Sequence, residues 1–168
     1  AYFDKSEPWN DDTYSKVESL IPLAPLHNKA HLVGYNAFKK VLPSVPQIAV
    51  FDTAFHQSMD AEDYTFPIPY EYTEKYQIRR YGAHGTSHKY VSEKAIGYLE
   101  SNSKIITIHL GNGCSMAAIK DGKSIDSTMG FSPANGLIMG TRAGDVDQSV
   151  IFYMVKNLGY TADEVNAI

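Results

Sequence analysis

The chain has 168 residues, 43% hydrophobic and 20% charged, an ordinary composition for a soluble globular protein. Its formal net charge of −4 argues against a nucleic-acid surface, and its single cysteine excludes an internal disulfide framework and suits a reducing, cytoplasmic setting. No apolar run approaches membrane-spanning length and no signal-peptide pattern opens the chain, so no membrane partner is expected.

Residues 1–12 are polar and aromatic and read as loop. Residues 13–20 read as a short amphipathic helix. In Ile21-Pro22-Leu23-Ala24-Pro25-Leu26-His27-Asn28, two prolines three apart predict a stiff, extended path without regular structure. Residues 33–42 read as a helix ended by Pro43 and Pro46. Gln47-Ile48-Ala49-Val50-Phe51-Asp52-Thr53 reads as a buried strand closing on a carboxylate. Residues 55–70 are irregular, with Pro67 and Pro69, and residues 71–76 form a short helix. From Arg79 the chain leads into a helix capped near Thr86 or Ser87 and running to about Leu99.

Ile105-Ile106-Thr107-Ile108-His109-Leu110 is a β-branched apolar run and reads as a second buried strand. It stops at Gly111-Asn112-Gly113, a pattern that predicts a tight turn with positive φ. Backbone N–H groups there can lie against a ligand such as a phosphate; a plain hairpin turn is the simpler reading. Asp121-Gly122 between two short strands is a hairpin signal. Residues 129–144 are Gly-rich and irregular, residues 147–157 are apolar at helical spacing, and Thr161-Ala162-Asp163-Glu164 opens a capped helix. Strands alternating with helices argue for an α/β fold with parallel strands. A start at Ala1 without Met and a stop just inside that last helix lead us to expect an excerpt from a longer protein.

Some residues carry chemistry. Asp52 ends a strand, although on its own it reads better as a structural cap. His84 lies between bent glycine positions just before a helix start, where a dipole favours anions; a buried, backbone-bonded histidine is the alternative. Arg142 sits between glycines and can clamp a phosphoryl or carboxylate group, or can pair with Asp145 or Asp147. His27, His31, His56 and His88 show no usable pattern, and no metal ligand set is read. Gly122-Lys123-Ser124 and Gly111-Asn112-Gly113 imitate a P-loop and a dinucleotide fingerprint, but the further glycines those motifs require are missing. A carboxylate, a presented histidine, a glycine-bracketed arginine and a Gly-Asn-Gly turn together suit phosphoryl transfer.

At these residues the chain closely resembles the acetate kinase family, acyl-phosphate-forming kinases of the actin/hexokinase-like superfamily. The resemblance rests on residues 22–28 and 51–57, on Tyr81-Gly82-Ala83-His84-Gly85-Thr86-Ser87-His88, on residues 109–113, and on Met139-Gly140-Thr141-Arg142-Ala143-Gly144-Asp145. It implies a ribonuclease H-like, actin-like two-lobed fold, incomplete in this chain, with residues 1–60 in the N-terminal, substrate-side lobe and 61–168 opening the C-terminal, phosphate-binding lobe. It implies reversible transfer of the ATP γ-phosphoryl group to acetate. Propionate kinase of the same family is the nearest alternative, and a non-catalytic actin-like nucleotide-binding scaffold is another.

By the same resemblance, Asp52, His84 and Arg142 match catalytic positions. His109, Leu110, Gly111, Asn112 and Gly113 match a phosphate-binding segment. Leu26, Ala83 and Pro133 match walls of the acetyl pocket, and His27 a histidine near the substrate. Mg²⁺ and ATP are implied as cofactor and substrate, with the metal and adenosine ligands mostly outside this chain, and a homodimer is implied for the full-length protein. Ala134 and Asn135 depart from the family's usual Leu-Glu, which puts local loop packing in question.

Overall fold

The computed structural model describes residues 3–100 and 104–168, with the backbone alone for Pro25 and Leu26. Strand β1 (Glu7–Pro8) is followed by helix α1 (Asp11–Ser19). The Asn10 side chain accepts from the Thr13 N–H at 2.9 Å, and Asp11 and Asp12 favour the positive end of the helix dipole.

Pro22 and Pro25 do not hold the chain extended. Pro22 lies in a 3₁₀ turn, Ile21–Leu23, and Pro25 is the first residue of α2 (Pro25–Val41). A proline in the first helical turn lacks an N–H that had no intrahelical acceptor anyway, and its φ is already helical. Helix α2 therefore begins well before residue 33.

The strand expected over residues 47–53 shrinks to β2 (Ile48–Ala49), which pairs antiparallel with β1, so residues 1–12 are not all loop. Ile48 and Val50 are exposed, and among the described residues this sheet has only its two strands. An apolar cluster of Phe3, Val17 and Leu32 holds this part together, with Phe51 stacked on Phe3 at 3.9 Å.

A 3₁₀ turn at Ala54–Ser58 and helix α3 (Ala61–Tyr64) give order to much of the segment expected to be irregular. Then come α4 (Glu71–Tyr76), α5 (Gly85–Leu99), β3 (Ile105–Leu110), β4 (Cys114–Lys120) and β5 (Lys123–Ser127). The three strands form one antiparallel sheet in the order β3-β4-β5. The expectation of parallel strands fails because two tight turns make the connections, and a parallel pair needs a crossover of a dozen residues or more. Asp121 and Gly122, with φ of 51° and 77°, make the second turn a two-residue hairpin of type I′ character. Helix α6 (Gln148–Asn157) is capped by Asp147, and α7 (Ala162–Ala167) by a Thr161–Glu164 capping box.

Helix α5 packs on β3, and the 54–58 turn packs on both β5 and α5. The face of β3 turned toward α5 carries Thr107 and His109, the polar members of the run. Ile106, Ile108 and Leu110 point the other way and are 69%, 50% and 80% exposed. The strand is thus not buried on both faces. Its apolar side lies open, as do Val150, Ile151, Phe152 and Tyr153 on α6. Apolar surface of this extent calls for a cover. Residues 1–168 produced alone are expected to bind a hydrophobic dye and to unfold without one cooperative transition. A monomer with a single sharp melting transition contradicts this.

Candidate active site

The site is assembled at the N-terminus of α5. Asp52 grips that end twice. Its backbone carbonyl accepts from the Gly85 N–H at 2.8 Å, and its Oδ2 accepts from the His84 N–H at 2.6 Å. His84 occupies the left-handed region, φ 55° and ψ 23°, immediately before the helix. The helix therefore starts at Gly85, ahead of the Thr86 or Ser87 cap that the sequence suggests, and a neighbouring segment binds the N–H groups that a cap side chain would otherwise satisfy. Gly85 is obligatory for a spatial reason. A Cβ there would lie 2.2 Å from the Asp52 carbonyl oxygen and 3.2 Å from Phe55 Cβ.

Four imidazoles gather beneath this end. The His84 and His109 rings stack at 4.0 Å, and His109 Nδ1 lies 3.0 Å from Ser87 Oγ. His84 Nδ1 and His88 Nε2 each lie 2.8 Å from Ser115 Oγ, and His88 Nδ1 lies 2.7 Å from Thr107 Oγ1. His56 is buried between Ser124 Oγ, 2.8 Å from Nδ1, and the Ala83 carbonyl oxygen, 2.9 Å from Nε2.

His56, His88 and Ser115 are site residues that the sequence reading passed over. Two signals were present in the pattern. His84 and His88 are four apart, one helical turn, and Ser115 is the cross-strand partner of His109.

Gly111–Gly113 is the turn joining β3 to β4, and neither glycine has positive φ. The expected reason for glycine gives way to one of space. A Cβ on Gly113 would lie 2.5 Å from Arg142 Nη2 and 3.1 Å from His84 Cε1 and Nε2. Both side chains converge on this one Cα. Arg142 is delivered by the 128–147 loop. Its Nη1 donates to the Pro133 carbonyl at 2.6 Å, and its own carbonyl accepts from Met139 N–H at 2.9 Å. Gly140 N–H donates to the Asn112 carbonyl at 3.1 Å, which ties loop to turn.

Neither carboxylate considered for Arg142 pairs with it. Asp145 accepts from Asn135 Nδ2 and, at 2.8 Å, from the Gly136 N–H; Asp147 caps α6 through Ser149 N–H at 2.9 Å. Among the described residues Arg142 has no acidic partner. Asn135, where the chain departs from its resemblance, thus fastens the loop that carries the guanidinium.

The structure brings Asp52, Ala83, His84, His109, Gly113, Pro133 and Arg142 into one connected region. Leu110 points its exposed side chain away on the outer face of β3. His27 lies on α2 without a hydrogen bond or ring contact to the cluster, and the Leu26 side chain lies outside the described residues.

Burial draws the proton affinity of the inner imidazoles down. His88 is pulled to about 4, by burial first and then by the neighbouring imidazoles. His84 is lowered by burial, by His109 and by Arg142, against the pull of Asp52. His56 is lowered by burial, against its bond to Ala83 and the charge of Asp52. His56, His84 and His88 are therefore neutral donors and acceptors at neutral pH, and Arg142 supplies the fixed positive charge.

The Acetokinase family model matches residues 1–168. The chain is 64% identical over its whole length to an acetate kinase of Flavobacterium johnsoniae, covering 43% of it. It is 54% identical to an acetate kinase of Thermoanaerobacter pseudethanolicus over 98% of its own length and 42% of that protein. Among solved structures it is similar to a propionate kinase of Francisella tularensis, with TM-score 0.95, 51% identity, and coverage of 98% of this chain and 43% of that one. It is also similar to an acetate kinase of Porphyromonas gingivalis, with TM-score 0.92, 46% identity, and coverage of 98% and 42%. The chain spans less than half the length of these relatives, and it forms an α/β part of an actin-like kinase fold.

Two outcomes follow from the geometry. Gly85→Ala in the full-length protein should lower stability by about 3 kcal/mol, because backbone rather than a flexible side chain opposes the new methyl; an unchanged melting temperature contradicts the clamp. The second concerns pH. Unfolded imidazoles titrate near 6.5, above the lowered values of the folded cluster, so the unfolded chain binds more protons below that point. Stability should therefore fall as pH drops from about 6.5 toward 4, and His88→Asn should flatten that limb. Superimposable melting-temperature profiles for the two proteins contradict the assignment.

Proposed function

The chain belongs to the Acetokinase family, and on that premise we propose that the protein containing it transfers the γ-phosphoryl group of ATP to acetate, reversibly, giving acetyl phosphate and ADP. The observation that carries the reading is the convergence of Arg142 and His84 on Gly113, at a glycine turn where the arginine has no acidic partner among the described residues.

One acetate oxygen bonds to the γ-phosphorus as the bond to the β,γ-bridging oxygen breaks. Acetate is already an anion and needs no strong base. The difficulty is bringing two anions together while charge spreads over the equatorial phosphoryl oxygens. Arg142 offsets that repulsion through the planar fork of its guanidinium. His84 adds one neutral hydrogen bond. Asp52 orients His84 by holding its backbone N–H. His109, Leu110, Gly111, Asn112 and Gly113 are proposed as a phosphate-binding segment, with Leu110 contributing backbone only.

Leu26, Ala83 and Pro133 are proposed as walls of the acyl pocket, with His27 near the substrate. Mg²⁺ neutralises phosphate charge when bound. The ligands of Mg²⁺ and of adenosine are proposed to lie mostly outside this chain. We further propose a cytoplasmic homodimer, with residues 1–60 in one lobe and 61–168 opening the other; the apolar cluster around Phe3, Val17 and Leu32 supports a separate N-terminal unit, whereas the 54–58 turn packs on β5 and α5.

Propionate is the second reading. It is favoured by the small Ala83 side chain and by the similarity to a structure described as a propionate kinase. One methylene is worth only ~1–3 kcal/mol of discrimination. The ratio of kcat/KM for acetate and propionate on the full-length protein is expected to favour acetate, and a preference for propionate reverses the assignment. No hydroxylamine-trapped acyl phosphate with any short-chain acid would favour the non-catalytic scaffold.

Arg142→Ala should lower kcat ~10²–10³-fold with a smaller change in KM for ATP, and Arg142→Lys should recover only part of it. His84→Ala should cost less. Unchanged kcat in a well-folded Arg142→Ala protein ends the assignment.

A further inference from the structure

Behind His84 runs a chain of hydrogen-bonding atoms: Thr107 Oγ1, His88 Nδ1, His88 Nε2, Ser115 Oγ and His84 Nδ1, with successive contacts of 2.7, 2.8 and 2.8 Å. Thr107, His88 and Ser115 are all buried. Among the described residues none of the three side chains hydrogen-bonds to the Arg142 guanidinium or the Gly111–Gly113 turn, and the function proposed above does not use them.

The direction of this chain follows from its far end. Thr107 Oγ1 has one hydrogen-bond partner among the described residues, His88 Nδ1. A buried hydroxyl must place its hydrogen on an acceptor, and leaving it without one costs about 1–3 kcal/mol. Thr107 therefore donates to His88 Nδ1. A neutral His88 then carries its proton on Nε2 and donates to Ser115 Oγ. The Ser115 hydroxyl has a single hydrogen and, among the described residues, only the two imidazoles as side-chain partners, so it donates to His84 Nδ1. His84 is left with its proton on Nε2, the nitrogen that lies beside Gly113 and Arg142. The reversed chain would leave the Thr107 hydrogen buried without an acceptor. It would also turn a lone pair of His84 toward the anionic oxygens it is meant to bind.

We infer that Thr107, His88 and Ser115 are positioning residues that lock His84 in the Nε2–H tautomer and aim it as a hydrogen-bond donor at the Gly113–Arg142 site. The tautomer assignment stands on hydrogen bonding alone; its consequence for turnover rests on the proposed role of His84.

The full-length protein labelled with ¹⁵N-histidine gives both answers separately. Long-range ¹H–¹⁵N correlation spectra at neutral pH, with His84 assigned by the resonance lost in His84→Gln, should show a protonated Nε2 and an unprotonated Nδ1. A His84 signal with the proton on Nδ1 overturns the inference without any variant having to fold. Thr107→Val should blur this pattern into a mixture of tautomers and lower kcat roughly 2–10-fold with little change in KM, while Thr107→Ser restores both. An unaltered His84 tautomer in Thr107→Val also overturns it. A shifted tautomer with normal kcat leaves the lock standing and removes His84 from the reaction.

Discussion

The double hold of Asp52 on the start of α5 is the constraint from which the site follows. A histidine with φ of 55° is in a region that non-glycine residues visit at a cost of ~1–2 kcal/mol. It stays there because its N–H and that of Gly85 are both bound by Asp52. Released from that grip, the turn would relax and the His84 ring would leave its stack on His109. Strain of this kind gathers where a side chain must point in a direction that regular structure does not offer. Here the direction is toward Gly113 and the guanidinium of Arg142.

The sheet beneath is arranged against the usual rule. Its inner face carries Thr107, Ser115, Ser124 and His109 along with Ala117 and Ile119, while the outer face of β3 shows Ile106, Ile108 and Leu110 to solvent. The polar inner face is stable because its members bond to His56, His84 and His88, and His109 to Ser87. That outer face lies open in a chain that spans 43% of the length of its relatives.

Much of this was legible in the residues. Asp121-Gly122 specified its turn because only a few dipeptides accept two positive φ values, and Thr161 with Glu164 specified a helix start by mutual hydrogen bonding. His84 and Arg142 stand out by their settings and Asp52 only by resemblance, and the three lie in one connected region. Other features depended on contacts distant in sequence. Pro25 looks like a helix breaker unless it is known to be the first residue of a helix. Gly113 looks like a flexible turn glycine, yet it is required by side chains 29 residues before and after it (113 − 84 and 142 − 113). Ser115 and Thr107 are commonplace in strands, and their meaning came only when α5 was laid across them.

The account turns on Arg142 and His84 acting together on one group rather than in separate places. A double-mutant cycle in kcat/KM on the full-length enzyme, with Arg142→Ala, His84→Ala and the double variant, measures this directly. If both contact the same migrating phosphoryl group, the double variant should lose far less than the product of the two single losses, since removing either partner already misplaces what the other holds. Strictly multiplicative losses would mean that the two side chains work independently, and would contradict the shared site at Gly113.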